Sequence, residues 1–218
     1  TDSQFTLIAI CGGGIGLAFP DQPMWLLFPA MLIVGTIGGM ISGGLVAWLR
    51  IRFNANEILT SLMLTYVTQY LLLYLVTGPW RDPQGFGFPQ TAQFSDAASG
   101  PRLIADSNVH LGILLAPLIA VALWIMLEKS LLGFQFRVLG QDTRAARFAG
   151  FSENRLVWIA MLISGGLAGL AGLLEATGTL GQLTTQVSPG YGFTAIIVAF
   201  LGRLNPLGAI PAGLLLAL

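Results

Sequence analysis

Charge is what this sequence has least of. Only 9% of its 218 residues are Asp, Glu, Lys or Arg, against about 25% in soluble domains, too few to cover a water-facing surface. Ten basic residues balance ten acidic ones, so no field of one sign exists to draw nucleic acid. The single cysteine, Cys11, excludes an intrachain disulfide framework and a cysteine zinc cluster. The single histidine, His110, leaves little for imidazole ligation of a metal. No basic n-region precedes an apolar stretch at Thr1, so no signal peptide is visible. The sequence stops at Leu218 inside an apolar run. Both ends therefore read as cut from a longer polypeptide.

What is abundant is apolar: 55% of the residues are hydrophobic, and the 28 glycines fall inside the apolar runs rather than in linkers. A spanning helix needs about 20 mostly apolar residues. Residues 24–49, 58–77, 109–127 and 156–177 satisfy that, whereas 5–19 is shorter and reads as a truncated or broken helix. The run 193–218 is interrupted at Gly202, Arg203, Asn205 and Pro206, which predicts a broken or re-entrant helix near 193–206. The fold class is all-α: a polytopic membrane protein with one transmembrane domain over 1–218 and a long loop at 128–155. Asn56 before Glu57, and Ser152 before Glu153, are helix-start signals. Gly35, Gly39 and Gly43, and Gly165 and Gly169, recur four apart, the spacing of close helix packing in lipid.

The loops set the orientation. Residues 50–57 and 128–155 lie two crossings apart, hence on one side, and hold seven of the ten basic residues: Arg50, Arg52, Lys129, Arg137, Arg144, Arg147 and Arg155. That side is cytoplasmic by the positive-inside rule. Trp25, Trp48, Trp80, Trp124 and Trp158 all fall near expected helix ends, where indoles meet headgroups.

Within 128–155, Asp142 or Thr143 can cap a short helix over 141–150, with Arg144 and Arg147 three apart on one face and Gly150 at its end. Two helical turns cannot make a core of their own. They need lipid headgroups or a partner protein, unless the loop only fixes topology. In the span 58–77, Ser61, Thr65 and Gln69 recur every four residues, with Thr68 beside them and Tyr66, Tyr70 and Tyr74 adjacent. Polar groups facing lipid are costly, so this stripe should face the interior, as a path for a polar solute or as interhelical hydrogen bonding. Glu175 closes an apolar run beside Thr177 and Thr179, which makes it either a pathway group or a residue at the headgroups. Arg203 lies between apolar segments, where it could approach the path, pair with Glu175 or be structural. His110 at a helix end reads as solvated, and Cys11 among Gly12, Gly13 and Gly14 as a packing residue.

Three runs carry a resemblance. Residues 133–155 (GFQFRVLGQDTRAARFAGFSENR) resemble the cytoplasmic coupling segment of ABC importer permeases of the branched-chain amino acid, simple-sugar and nucleoside superfamily. Residues 188–215 (SPGYGFTAIIVAFLGRLNPLGAIPAGLL) resemble the segment that follows it. Residues 50–83 are similar to the nucleoside-type branch, which pairs with basic-membrane-protein-like binding lipoproteins, and Asp2-Ser3-Gln4 resembles the remnant of that branch's GAEGQ motif, departing from it at Asp2-Ser3. Arg203 departs from the glycine the resemblance implies there.

The resemblance implies a permease subunit of an ATP-driven importer in the bacterial cytoplasmic (inner) membrane, carrying a nucleoside, with a sugar or a branched-chain amino acid as alternatives. It implies that Asp142, Thr143, Arg144, Ala145, Ala146, Arg147 and Phe148 enter a groove of a cytoplasmic ATPase subunit; the residues themselves read the same way, since Arg144 and Arg147 share one face while Ala145, Ala146 and Ala149 leave a smooth one that can enter a groove. The further partners it implies are a second permease subunit, an extracytoplasmic binding protein and the bilayer. No cofactor is expected in this chain. ATP and Mg²⁺ belong on the partner, because the only lysine, Lys129, is preceded by Glu128 where a Walker A motif needs glycine. The rivals are an ion-coupled secondary transporter, for which Glu175 is the one membrane-depth carboxylate, and an intramembrane hydrolase, which lacks a Ser–His or paired-Asp arrangement within the spans.

The orientation is tested by cysteine labelling in intact cells. Ala92→Cys is expected to react with an impermeant thiol reagent from outside, and Ala145→Cys to be protected. The reverse pattern overturns the orientation.

Overall fold

The computed structural model describes residues 2–19, 22–82, 88–94, 112–184 and 190–217. His110, Arg102, Asp96 and Asp106 lie outside them. The described residues form helices α1 (Asp2–Ala18), α2 (Met24–Phe53), α3 (Glu57–Thr77), α4 (Gly112–Lys129), α5 (Leu131–Gln141), α6 (Thr143–Phe148), α7 (Glu153–Glu175), α8 (Tyr191–Leu201) and α9 (Pro206–Ala217). A π-helical turn, Ala176–Leu180, follows α7. Strand pairing among the described residues is confined to isolated bridges. Four helices, α2, α3, α4 and α7 with its extension, are long and apolar enough to cross a membrane, and the bent pair α8–α9 makes up to five. Many large apolar side chains on them are exposed, among them Ile33, Ile41, Met63, Leu118 and Phe200. Water would not tolerate so large an apolar surface; lipid does.

The chain forms two compact units. The first contains residues 1–112 and 161–190. Its core is built on α1, which packs against α2 and α3: Ile8, Ala9, Met31, Leu72, Val76, Leu173 and Leu183 are buried together. The sequence predicts a truncated or broken helix at 5–19, but α1 runs unbroken through Gly12, Gly13 and Gly14. Those glycines are where neighbours press in. A Cβ on Gly12 would meet the Leu173 side chain, one on Gly13 the Leu183 side chain, and one on Gly14 the Trp80 ring. Tertiary packing thus overrides the weak helical preference of a glycine run.

The glycines of α2 are used more tightly still. A Cβ on Gly39 would overlap the carbonyl oxygen of Gly165, one on Gly165 would overlap that of Gly39, and one on Gly43 would overlap that of Met161. Backbone lies directly on backbone, the packing that small residues permit in lipid. Beyond α7, Thr91 donates its backbone N–H to the Leu183 carbonyl at 3.0 Å. Its Oγ1 accepts from the Leu183 N–H at 3.0 Å.

The second unit contains residues 113–160 and 191–218. Ser130 breaks the chain between α4 and α5 and caps α5, its Oγ accepting from the Gly133 N–H at 3.2 Å. The sequence predicts a loop with one short helix; α5 is an additional helix in it. Arg137 reaches back to Glu128 at 2.8 Å, and Phe134 meets Phe151 edge to face, with centroids 6.2 Å apart. The bend between α8 and α9 is 120°, as the interruption in the sequence predicts. Arg203 and Leu204 make it with left-handed φ values of 54° and 56°.

The two glycine environments make a paired stability test. Gly39→Ala forces a methyl group into a carbonyl oxygen and is expected to destabilise by about 1–3 kcal/mol. At Gly140, in α5, an added Cβ meets nothing within 4 Å, so Gly140→Ala is expected to stabilise by about 0.5–1 kcal/mol. Thermal melting of the purified protein in detergent measures both. Equal effects would refute the assigned packing.

Candidate functional site

The best-defined candidate surface is α6 with its flanks. Asp142 caps it, its carboxylate accepting from the Arg144 N–H at 2.8 Å. At the other end Gly150 takes a left-handed φ of 79°, and the Phe151 N–H returns to the Ala146 carbonyl at 2.9 Å, a closure that glycine permits at a helix end. Ser152 Oγ accepts from the Arg155 N–H at 3.3 Å to start α7, and Arg147 pairs with Glu153 at 3.0 Å across the turn. That pair is solvent-exposed on the arginine side, so it contributes little stability.

Exposure divides the segment. Asp142, Thr143, Arg144, Ala145, Arg147, Phe148 and Ala149 are exposed, while Ala146 is fully buried, with 0% exposure. Ala146 is thus not part of a smooth outward face; its methyl group is enclosed, on a helix of only six residues. The outward feature is Phe148, 93% exposed. The ring thus stands largely free of a six-residue helix.

The stripe on α3 divides as well. Ser61, Thr65 and Thr68 are buried, and their hydroxyls donate to carbonyls of their own helix: Ser61 to Ile58 at 3.0 Å, Thr65 to Ser61 at 2.9 Å, and Thr68 to Thr65 and Leu64, both at 3.0 Å. Gln69 is exposed. At 3.6 residues per turn each step of four gains about 40°, so Gln69 stands roughly 80° round from Ser61 while Thr68 stays about 20° from it. Sequence spacing joined positions that the helix separates. Tyr66, Tyr70 and Tyr74 are 60%, 69% and 67% exposed, and with Gln69 they form a polar, aromatic face roughly 12 Å long.

Glu175 is half-buried where α7 gives way to the π-helical turn, a feature often found at functional sites; nothing in the local sequence marks it. The side chain of Thr179 lies outside the described residues, while Thr177 is buried and donates to the Leu173 carbonyl at 2.8 Å. No group of three or more metal-ligating side chains occurs among the described residues.

The described residues thus combine several helices long and apolar enough to cross a membrane, a helix pair bent by 120° and a short capped helix in the basic segment. The chain belongs to the branched-chain amino acid transport system / permease component family, matched over residues 3–218. It is 37% identical, over 99% of its length, to a glucose ABC transporter permease of Haloferax volcanii. It is 34% identical to a guanosine ABC transporter permease of Bacillus subtilis over 93%, and 29% identical to a nucleoside ABC transporter permease of Lactococcus lactis over 91%. It spans 59%, 58% and 57% of those relatives. No solved structure matches the chain.

The two halves of the α3 stripe are separable by mutation. Thr65→Val removes a hydroxyl bonded only within its helix and is expected to leave solute uptake within about twofold of wild type. Gln69→Leu removes an outward amide and is expected to lower uptake severalfold at equal membrane abundance. Uptake by vesicles normalised to immunoblot measures both; the opposite ranking would place the path on the buried face.

Proposed function

We propose that this chain is the membrane-spanning subunit of an ATP-driven importer for a nucleoside, driven from its cytoplasmic side by a separate ATPase that docks on α6. The observation that carries the coupling half of this reading is the pairing of a buried Ala146 with an exposed Phe148 on one short, doubly capped helix. A segment that only fixed topology would need neither anchor nor ring. On this reading Phe148 enters an apolar pocket of the ATPase, with Asp142, Thr143, Arg144, Ala145 and Arg147 around it. ATP and Mg²⁺ are held by that partner. A second permease subunit and an extracytoplasmic binding protein complete the assembly in the bacterial cytoplasmic membrane.

The nucleoside half rests on the guanosine and nucleoside relatives and on the outward face of α3. Tyrosine rings offer stacking planes for a base, and the Gln69 amide with the tyrosine hydroxyls offers donors and acceptors for a ribose. A second reading, a sugar, is favoured by the glucose permease of Haloferax volcanii, the relative with 37% identity. Nucleoside and glucose competition against the same labelled uptake separates the two.

The coupling is tested at Phe148. Phe148→Ser is expected to leave insertion and melting temperature unchanged, because the ring touches little of its own chain, and to reduce copurification of the ATPase at least tenfold, a loss of about 1.4 kcal/mol or more. Ala146→Glu is expected to lower the melting temperature itself by burying a charge. Normal ATPase recovery and uptake with Phe148→Ser overturns the coupling role.

A further inference from the structure

The second unit contains a cavity of about 670 Å³ that the transport reading does not use. Trp124, Leu127 and Phe136 line its apolar part, and Glu128, Arg137 and Arg203 its polar part. Two guanidinium groups therefore stand against one carboxylate, which leaves the wall with an excess positive charge. Glu128 is already paired with Arg137 at 2.8 Å. Arg203 has no ion pair or hydrogen bond from its side chain among the described residues.

Arg203 is also held at a cost. It and Leu204 are consecutive non-glycine residues in the left-handed region, with φ of 54° and 56°. Such residues persist only where the surroundings over-determine them. The turn itself is fixed by other groups: the Leu204 N–H donates to the Ala199 carbonyl at 2.8 Å, and Asn205 caps α9, its Oδ1 accepting from the Leu207 N–H at 3.0 Å. Glycine would make the same turn without strain. What arginine adds at this position is the guanidinium at the cavity wall.

We infer that this cavity binds the phosphoryl group of an anionic phospholipid. Guanidinium matches a phosphoryl group bidentately. Trp124 and Lys129, at the end of a span, mark headgroup depth, and basic pockets at that depth on the side rich in Lys and Arg suit anionic headgroups. The apolar part of the wall favours a lipid over free phosphate, because it can cover the first segment of an acyl chain while Arg203 holds the headgroup.

The test uses the full-length permease purified in neutral detergent and titrated with short-chain phosphatidylglycerol, phosphatidylcholine of the same chain length, and inorganic phosphate. Tryptophan fluorescence reports binding, and Trp124→Phe identifies the part of the signal that arises in the cavity. Phosphatidylglycerol is expected to bind saturably and more tightly than phosphatidylcholine, and inorganic phosphate to compete weakly. Arg203→Gly is expected to weaken phosphatidylglycerol binding about tenfold or more without lowering the lipid-free melting temperature, since glycine relieves the left-handed strain. Arg203→Lys is expected to restore only part of the affinity, since an ammonium keeps the charge but cannot hold the phosphoryl group bidentately. Equal binding of the two lipids, or unchanged phosphatidylglycerol binding in Arg203→Gly, overturns the site. Inorganic phosphate as effective as the lipid overturns the lipid as its occupant.

Discussion

Two carbonyl oxygens, those of Gly39 and Gly165, govern how the first unit is assembled. In hydrocarbon there is no hydrophobic force to press helices together, since lipid is as apolar as their side chains. Close packing must come from shape, and here shape means the absence of a Cβ on either helix where they touch. The burial of α1 follows from that contact. Ile8 lies where a Cβ on Gly35 or Gly169 would stand, so the helix most enclosed by protein sits in space that glycines leave open. The exposed apolar faces of α2 and α3 are then left to lipid.

The parts of the fold with local causes were legible in the sequence. Asn56 caps α3 through the Ile58 N–H, Ser152 starts α7 and Asp142 starts α6, each where a short polar side chain precedes a helical run. The break after α8 was visible as Gly202, Asn205 and Pro206 in an apolar stretch. What escaped had non-local or subtle causes. The pairing of residues 88–94 with 181–184 joins segments about 90 positions apart through side chains and single bridges, with no strand pattern to announce it. The continuity of α1 through three glycines depends on neighbours distant in sequence. The split of the α3 stripe was a matter of angle: spacing by four is close enough to a helical turn to suggest one face, and far enough from it to leave that face within two steps.

The candidate surfaces were found unevenly for the same reason. The α6 segment was legible because caps and charges are local. The division of labour within it was not, since Ala146 and Ala145 are identical in sequence and opposite in burial. Arg203 stood out as a charge between apolar runs, but only the backbone reveals that it occupies a conformation arginine seldom adopts.

The bare ring of Phe148 has a consequence for the life of the subunit before assembly. If α6 docks a partner as proposed, a subunit inserted into the membrane ahead of that partner displays an aromatic side chain on a helix too short to fold back over it. Such a ring is the kind of feature that chaperones and proteases sample. On that proposal the abundance of the membrane subunit would follow the supply of its partner, with Phe148 serving as the mark of an orphan.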